Sequence, residues 1–257
     1  MPSESSPISG DWGGAEGDDF VGTIAGTLGW TSAVTGTGAA NTALSAAAAT
    51  AAILKFSGGV VSVVGTTAAG IAANEILGLT LNNANGMGVD VDFLCAIDTA
   101  LPTATNAYCY LCGIFDSSGA VTTGNFIGAM FGWNPVTNSV TPTWALAADT
   151  VARLIGNTPL AVYQPFPGSQ PQVALDVPQS IRLRINQAWN NVRLQVNGIN
   201  GNVLNGPSSG QSPSVMLPNI TNGWVGFKMF ALAGTANTGK AIMDIVDFAL
   251  PGRYQTS

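Results

Sequence analysis

Residues 180–186 read Ser180-Ile181-Arg182-Leu183-Arg184-Ile185-Asn186, and residues 192–197 read Val192-Arg193-Leu194-Gln195-Val196-Asn197. Apolar and polar residues alternate strictly in both, the period-2 pattern of a strand with one buried face. The intervening residues 187–191 are short enough to join the two as a hairpin. Ile181, Leu183, Ile185, Val192, Leu194 and Val196 then share the buried face. Arg182, Arg184, Arg193 and Gln195 share the other. Three of the chain's eight basic residues therefore stand on one sheet face. That face suits an anionic ligand or an acidic partner, or is an ordinary solvated surface.

Working outward, the same kind of signal repeats. Short apolar runs punctuated by Gly, Asn, Pro, Ser and Thr fill the chain after Phe20. They predict strands over 53–56, 60–64, 75–81, 89–97, 108–115 and 126–133, then 180–186, 192–196, 223–231 and 241–250. No long stretch has helical period, and the best helix candidates are short, 67–74 and 147–155. The last pair of runs, around Trp224-Val225-Gly226-Phe227 and Ile242-Met243-Asp244-Ile245, is more continuously apolar, as in central strands covered on both faces. Many strands of this spacing predict an all-β fold, an antiparallel two-sheet jelly-roll sandwich. Residues 206–213, Gly-Pro-Ser-Ser-Gly-Gln-Ser-Pro, read as a long surface loop rather than a domain boundary.

Charge is unevenly placed. Residues 1–20 hold Glu4, Asp11, Glu16, Asp18 and Asp19 and no base, and are rich in Ser, Gly and Pro. They read as an extended acidic N-terminal arm, with residues 21–257 forming the sandwich domain. Trp12, alone in that polar arm, has the character of a docking anchor. The arm's candidate docking residues are Asp11, Trp12, Asp18, Asp19 and Phe20.

Composition excludes several functions. The 257 residues include no histidine, so no Ser-His-Asp or Cys-His nucleophile and no His-ligated metal can be built. A net charge of −6 argues against nucleic acid as a partner. The start of the chain lacks a basic segment followed by an apolar one, so no signal peptide is expected. No apolar run approaches the ~18 residues that span a bilayer, so no membrane insertion is expected. Three cysteines, an odd number, argue against a disulfide framework. Cys109 and Cys112 form a C-x-x-C, but within a strand-like run where residues three apart face opposite sides. They read as small apolar fillers rather than a redox pair.

Few residues could carry chemistry. Asp90 and Asp92 lie two apart in Val89-Asp90-Val91-Asp92-Phe93 and share a strand face. They are weak candidates for metal, with the nearby Asn82-Asn83-Ala84-Asn85 as further oxygen donors. The residues after 20 contain one glutamate, Glu75, and no compact pair of catalytic glutamates, which weighs against glycoside hydrolysis. Trp133, Trp144 and Tyr163 are candidate glycan contacts, or else core packing. No phosphate-binding loop or dinucleotide fingerprint is present, and no cofactor is expected. Apart from the arm, the chain is nearly neutral and rich in Ala, Gly, Thr and Asn, a surface that loses little on desolvation against other subunits.

One resemblance adds to this. Gly17-Asp18-Asp19-Phe20, Leu28-Gly29-Trp30, Ser32-Ala33-Val34-Thr35-Gly36-Thr37-Gly38-Ala39 and Gly59-Val60-Val61 with Gly65-Thr66-Thr67-Ala68-Ala69-Gly70 follow one another in the order seen at the opening of tailed-phage virion domains. The closing Met243-Asp244-Ile245-Val246-Asp247-Phe248 is similar to the last strand of their concanavalin-like jelly roll. Ile71 departs from the pattern, where a basic residue is expected. The resemblance covers roughly the first seventy residues, and the rest agrees in strand pattern only. It implies a non-enzymatic virion component, a capsid decoration, neck or tail-fibre protein, made in the host cytoplasm. Its partners would be other virion proteins of the capsid, neck or tail, in a homotrimer held to the particle by the arm. The alternative is a glycan-binding, lectin-like module that recognises a host-surface receptor at a fibre tip.

Overall fold

The computed structural model describes residues 15–18, 30–35, 40–43, 59–64, 71–76, 88–98, 100–116, 124–156, 158–166, 173–186, 191–201, 203–205, 220, 223–231 and 238–249. The strands are β1 (Ala15–Asp18), β2 (Trp30–Thr35), β3 (Ala40–Ala43), β4 (Gly59–Val64), β5 (Ile71–Ile76), β6 (Val89–Asp98), β7 (Tyr108–Asp116) and β8 (Asn125–Asn134). They continue as β9 (Ser139–Thr150), the helix α1 (Val151–Ile155), β10 (Val162–Pro165), β11 (Gln179–Ile185), β12 (Asn191–Val196), β13 (Ile199–Asn200), β14 (Leu204–Asn205), β15 (Gly223–Ala231) and β16 (Thr238–Ala249). They form two sheets. The larger runs β13-β12-β11-β6-β16-β4-β3, with β1 added on β16 and β14 on β12. The smaller runs β10-β9-β8-β7-β15-β5-β2. Every ladder between these strands is antiparallel, so the all-β, antiparallel two-sheet expectation is met.

The main core lies between the sheets. Alternation along β6 sends Val89, Val91, Phe93, Cys95 and Ile97 inward, and β11 and β12 add the six apolar residues of the hairpin. The smaller sheet answers with Tyr108, Tyr110, Cys112, Ile127, Phe131, Trp144, Phe227 and Met229. A second apolar cluster covers the smaller sheet's other face, where Cys109, Leu111, Phe115, Phe126, Met130 and Phe230 meet Val151 and Leu154 of α1. Both faces of that sheet are thus buried, which is why β7, β8 and β15 read as continuous apolar runs and not as alternations. Lys228 sits on this covered face, fully buried, with Nζ 4.3 Å from the centre of the Phe115 ring.

Cys109 and Cys112 are placed as the spacing predicted, one in each cluster on opposite faces of β7, and both are free thiols. Burial raises the Cys109 thiol, so it is not an activated nucleophile.

Two expectations need correction. The predicted helix over 67–74 is contradicted at 71–74, which belong to β5. Of the predicted helix over 147–155, residues 147–150 complete β9, and only Val151–Ile155 is helical. Ala147 and Ala148 alternate between the two faces of the sheet and are held by ladders to β8 and β10, so pairing overrides alanine's helix preference. Thr150 then caps the helix, its Oγ1 accepting from the Arg153 amide at 3.3 Å. The strand expected over 75–81 agrees at 75–76, the end of β5, and its remainder lies outside the described residues. The strand over 53–56 and the loop over 206–213 lie outside the described residues.

β1 bears on the acidic arm. Ala15, Glu16, Gly17 and Asp18 pair with Ala249, Phe248, Asp247 and Val246. Four residues of the stretch 1–20 are therefore part of the larger sheet.

Candidate functional site

The outer face of the larger sheet carries the charged side chains that the sequence singled out. β6 and β11 are neighbours, with Asp92 opposite Arg182 and Asp90 opposite Arg184. Because each pair stands directly across the ladder, all four share the face away from the core. On the far side of β6, Asp247 of β16 stands opposite Asp92. On the far side of β11, Arg193 of β12 stands opposite Arg184 and Gln195 opposite Arg182. Asn200 of β13 stands opposite Gln195. Two rows thus cross the face. One runs Asp247, Asp92, Arg182, Gln195, Asn200, and the other runs Asp90, Arg184, Arg193.

Asp90 is the hub. Arg182 reaches it diagonally in a two-pronged grip, Nε to Oδ1 at 2.9 Å and a terminal nitrogen to Oδ2 at 2.8 Å. Arg184 donates Nε to the same Oδ2 at 2.9 Å. Both carboxylate oxygens are committed to guanidinium groups. Asp92 is left with Arg182 at the longer distance of 3.6 Å. Its carboxyl is pushed up to about 6, chiefly by burial, with Arg182 pulling down and Asp90 pushing up. Asp247 is raised by burial as well. The face therefore grades from a carboxylate end at Asp247 and Asp92 to a guanidinium end at Arg184 and Arg193.

The weak metal candidates need a new reading. Asp90 and Asp92 do share a face, as their spacing required. Yet Asp90 has spent its oxygens on Arg182 and Arg184, so the pair is not presented as a hard-cation cage. The glycan-stacking candidates fare differently from one another. Trp144 is fully buried between the sheets, its ring 5.2 Å from that of Phe131 and 6.2 Å from that of Tyr110, so it has no face for a sugar. Trp133 is 8% exposed and belongs to the second apolar cluster. Tyr163 is half-buried against that cluster, and its hydroxyl is pushed up to about 12 by burial. The structure does not bring these three together with the charged face. Asp11, Trp12, Asp19 and Phe20 lie outside the described residues, and Asp18 is placed only by its pairing in β1.

Sequence reasoning had Asp90 and Asp92 on one strand and the arginines on another. It missed that the two strands are neighbours, and it missed Asp247. No local signal could have supplied this, because Asp90 and Arg182 are 92 residues apart.

No protein-family model and no curated protein sequence matches the chain. Solved structures do share its fold. A protein of unknown function from Shewanella oneidensis MR-1 is 13% identical over 95% of this chain and 89% of its own, with a TM-score of 0.54. The carbohydrate recognition domain of Emp47p is 10% identical, covering 91% of this chain and 94% of that one, with a TM-score of 0.53. The Lotus tetragonolobus seed lectin is 8% identical, covering 92% and 97%, with a TM-score of 0.50. At such identities the likeness establishes the fold, a concanavalin-like sandwich, over nearly the whole chain.

Proposed function

We propose that this protein is a non-catalytic carbohydrate-binding module that recognises a glycan on the outer face of its larger sheet. The observation that supports it is the pair of polar rows on that face. Arg182, Arg184, Arg193, Gln195, Asn200 and Asp92 offer planar groups rich in donors and acceptors, fixed to rigid strands. Sugar hydroxyls both donate and accept, and this face meets them with arginines that donate, a carboxylate that accepts and amides that do both. The shared fold with a carbohydrate recognition domain and a seed lectin points the same way. Catalysis is disfavoured because both oxygens of Asp90 are held by guanidinium groups and are not free to meet a substrate.

The test is a glycan array probed with the intact chain, followed by titration calorimetry on any hit. The expected result is binding to a restricted set of glycans that is weakened by Asp92→Ala. A folded protein that binds none of them would overturn the reading.

A second reading keeps the sandwich as a virion structural component, with the glycan site at a fibre tip or absent. Its support is the opening sequence pattern through residue 70 and the low charge of the chain beyond the arm. It requires capsid, neck or tail partners and a homotrimer. Light scattering decides its central element: three copies of the 26.1 kDa chain support it, and a monomer counts against it.

A further inference from the structure

Arg184 and Arg193 stand directly opposite each other across the β11–β12 ladder. Their Cβ atoms are therefore about 5 Å apart, a placement in which like charges repel. The chain's own groups relieve this only in part. Asp90 takes Nε of Arg184 at 2.9 Å, and its remaining capacity goes to Arg182. Arg193 donates Nε to the Asn191 side chain at 3.2 Å, a neutral acceptor. Among the described residues, Arg193 has no carboxylate partner. Each guanidinium is thus oriented through Nε, and its terminal nitrogens donate to no described residue.

The geometry points to a site for an acidic sugar: the Arg184–Arg193 pair grips the carboxylate of a uronic acid residue while the adjoining row receives its ring hydroxyls. This rests on the glycan-binding reading and specifies its ligand. Two facing forks match the two oxygens of a carboxylate, and one anion cancels the repulsion between them. The second row, Arg182, Gln195 and Asn200, is one pleat repeat away, about 7 Å along the strands, within reach of the same sugar unit. Gln195 is already oriented there by bonds of 3.2 Å from Nε2 to the Asn200 side chain and the Gly198 carbonyl. The net charge of −6 repels polyanions in general, so an anion held here is held by local fit and not by the overall field.

The experiment uses the full chain and titration calorimetry against oligogalacturonate, its methyl ester and inorganic phosphate. The acid is expected to bind, and the ester, which lacks the charge, about tenfold or more weakly. Arg193→Ala, on an exposed residue, is expected to lose about tenfold in affinity for the acid, with Arg193→Lys intermediate because it keeps charge but not the fork. Lys240→Ala removes a positive charge elsewhere on β16 and is expected to change nothing. Thermal melts of each variant confirm that it is folded. Equal affinity for acid and ester, with Arg193→Ala unchanged, overturns the acidic-sugar site and leaves the glycan reading standing. Phosphate binding as tightly as the oligosaccharide shows a plain anion site and overturns the sugar assignment. Failure to bind these ligands or any glycan on the array overturns both readings.

Discussion

Asp92 shows how one residue's setting decides its chemistry. Asp90 has drawn the nearest guanidinium nitrogens to itself, so Asp92 is left half-buried with one ion pair at 3.6 Å and a value near 6. A carboxyl raised above its ordinary value favours folding in its protonated form. Its penalty is absent below about 4, builds as pH rises towards 6, and is complete above that. Asp247 acts in the same direction. Asp92→Asn is therefore expected to gain stability relative to the wild type as pH climbs from 4 to 7, by about 1 kcal/mol once solvent screening is allowed for. Urea denaturation across that range measures it, and a constant difference between the two proteins would count against the assignment. Trp144 makes the opposite point. The sequence left it as a candidate glycan contact or core packing, and a fully buried indole serves the core. Trp144→Ala is expected to cost about 3–5 kcal/mol of stability, read by thermal or chemical unfolding, a loss that a surface stacking residue would not produce.

At the scale of elements, the smaller sheet depends on close strand contact at its centre. Gly113 of β7 stands opposite Gly128 of β8 and Gly226 of β15. A Cβ on Gly113 would meet the Ile127 carbonyl oxygen and lie 2.6 Å from the Gly128 Cα, and one on Gly128 would strike the Cys112 carbonyl. These are backbone atoms that cannot rotate away. Gly113→Ala or Gly128→Ala is expected to lower stability by about 1–3 kcal/mol despite adding only a methyl group, and a melting curve equal to the wild type's would refute the close-approach argument. The larger sheet has a different dependence. β6 and β11 exchange ladder bonds over seven residue pairs, from Gln179 with Cys95 to Ile185 with Val89, which makes the charged rows a rigid platform. Its side chains are positioned by strands and not by loops, so the glycan binding proposed for this face would require little ordering.

For the whole molecule, the important contact joins the two ends of the chain. β1 adds to β16, so the start of the sequence completes a sheet whose centre is built near its end. Removing residues 1–18 leaves Val246–Ala249 of β16 paired with β6 alone and is expected to lower the melting temperature by several degrees. An unchanged melt would mean that β1 contributes nothing to the sandwich. The two sheets share one core, so circular dichroism and tryptophan fluorescence are expected to report the same transition in the intact chain. Pairings this distant in sequence also predict slow folding, on the scale of milliseconds to seconds.

The alternation at 180–186 and 192–197 was enough to give the hairpin, its buried face and its charged face, because a period of two has one reading. Repetition of such runs gave the all-β class, and the absence of histidine by itself excludes whole families of chemistry. The spacing of Asp90 and Asp92 put both on one face for the same local reason. What sequence could not give was adjacency. That β6 lies between β11 and β16 is settled by packing two sheets around a common core, and adjacency brings three arginines and three aspartates onto one face and ties Asp90, Asp92, Arg182 and Arg184 together. Burial of Trp144 and the end of β9 at Thr150 were likewise decided by tertiary contacts, because ring environment and strand pairing depend on residues far away in the chain.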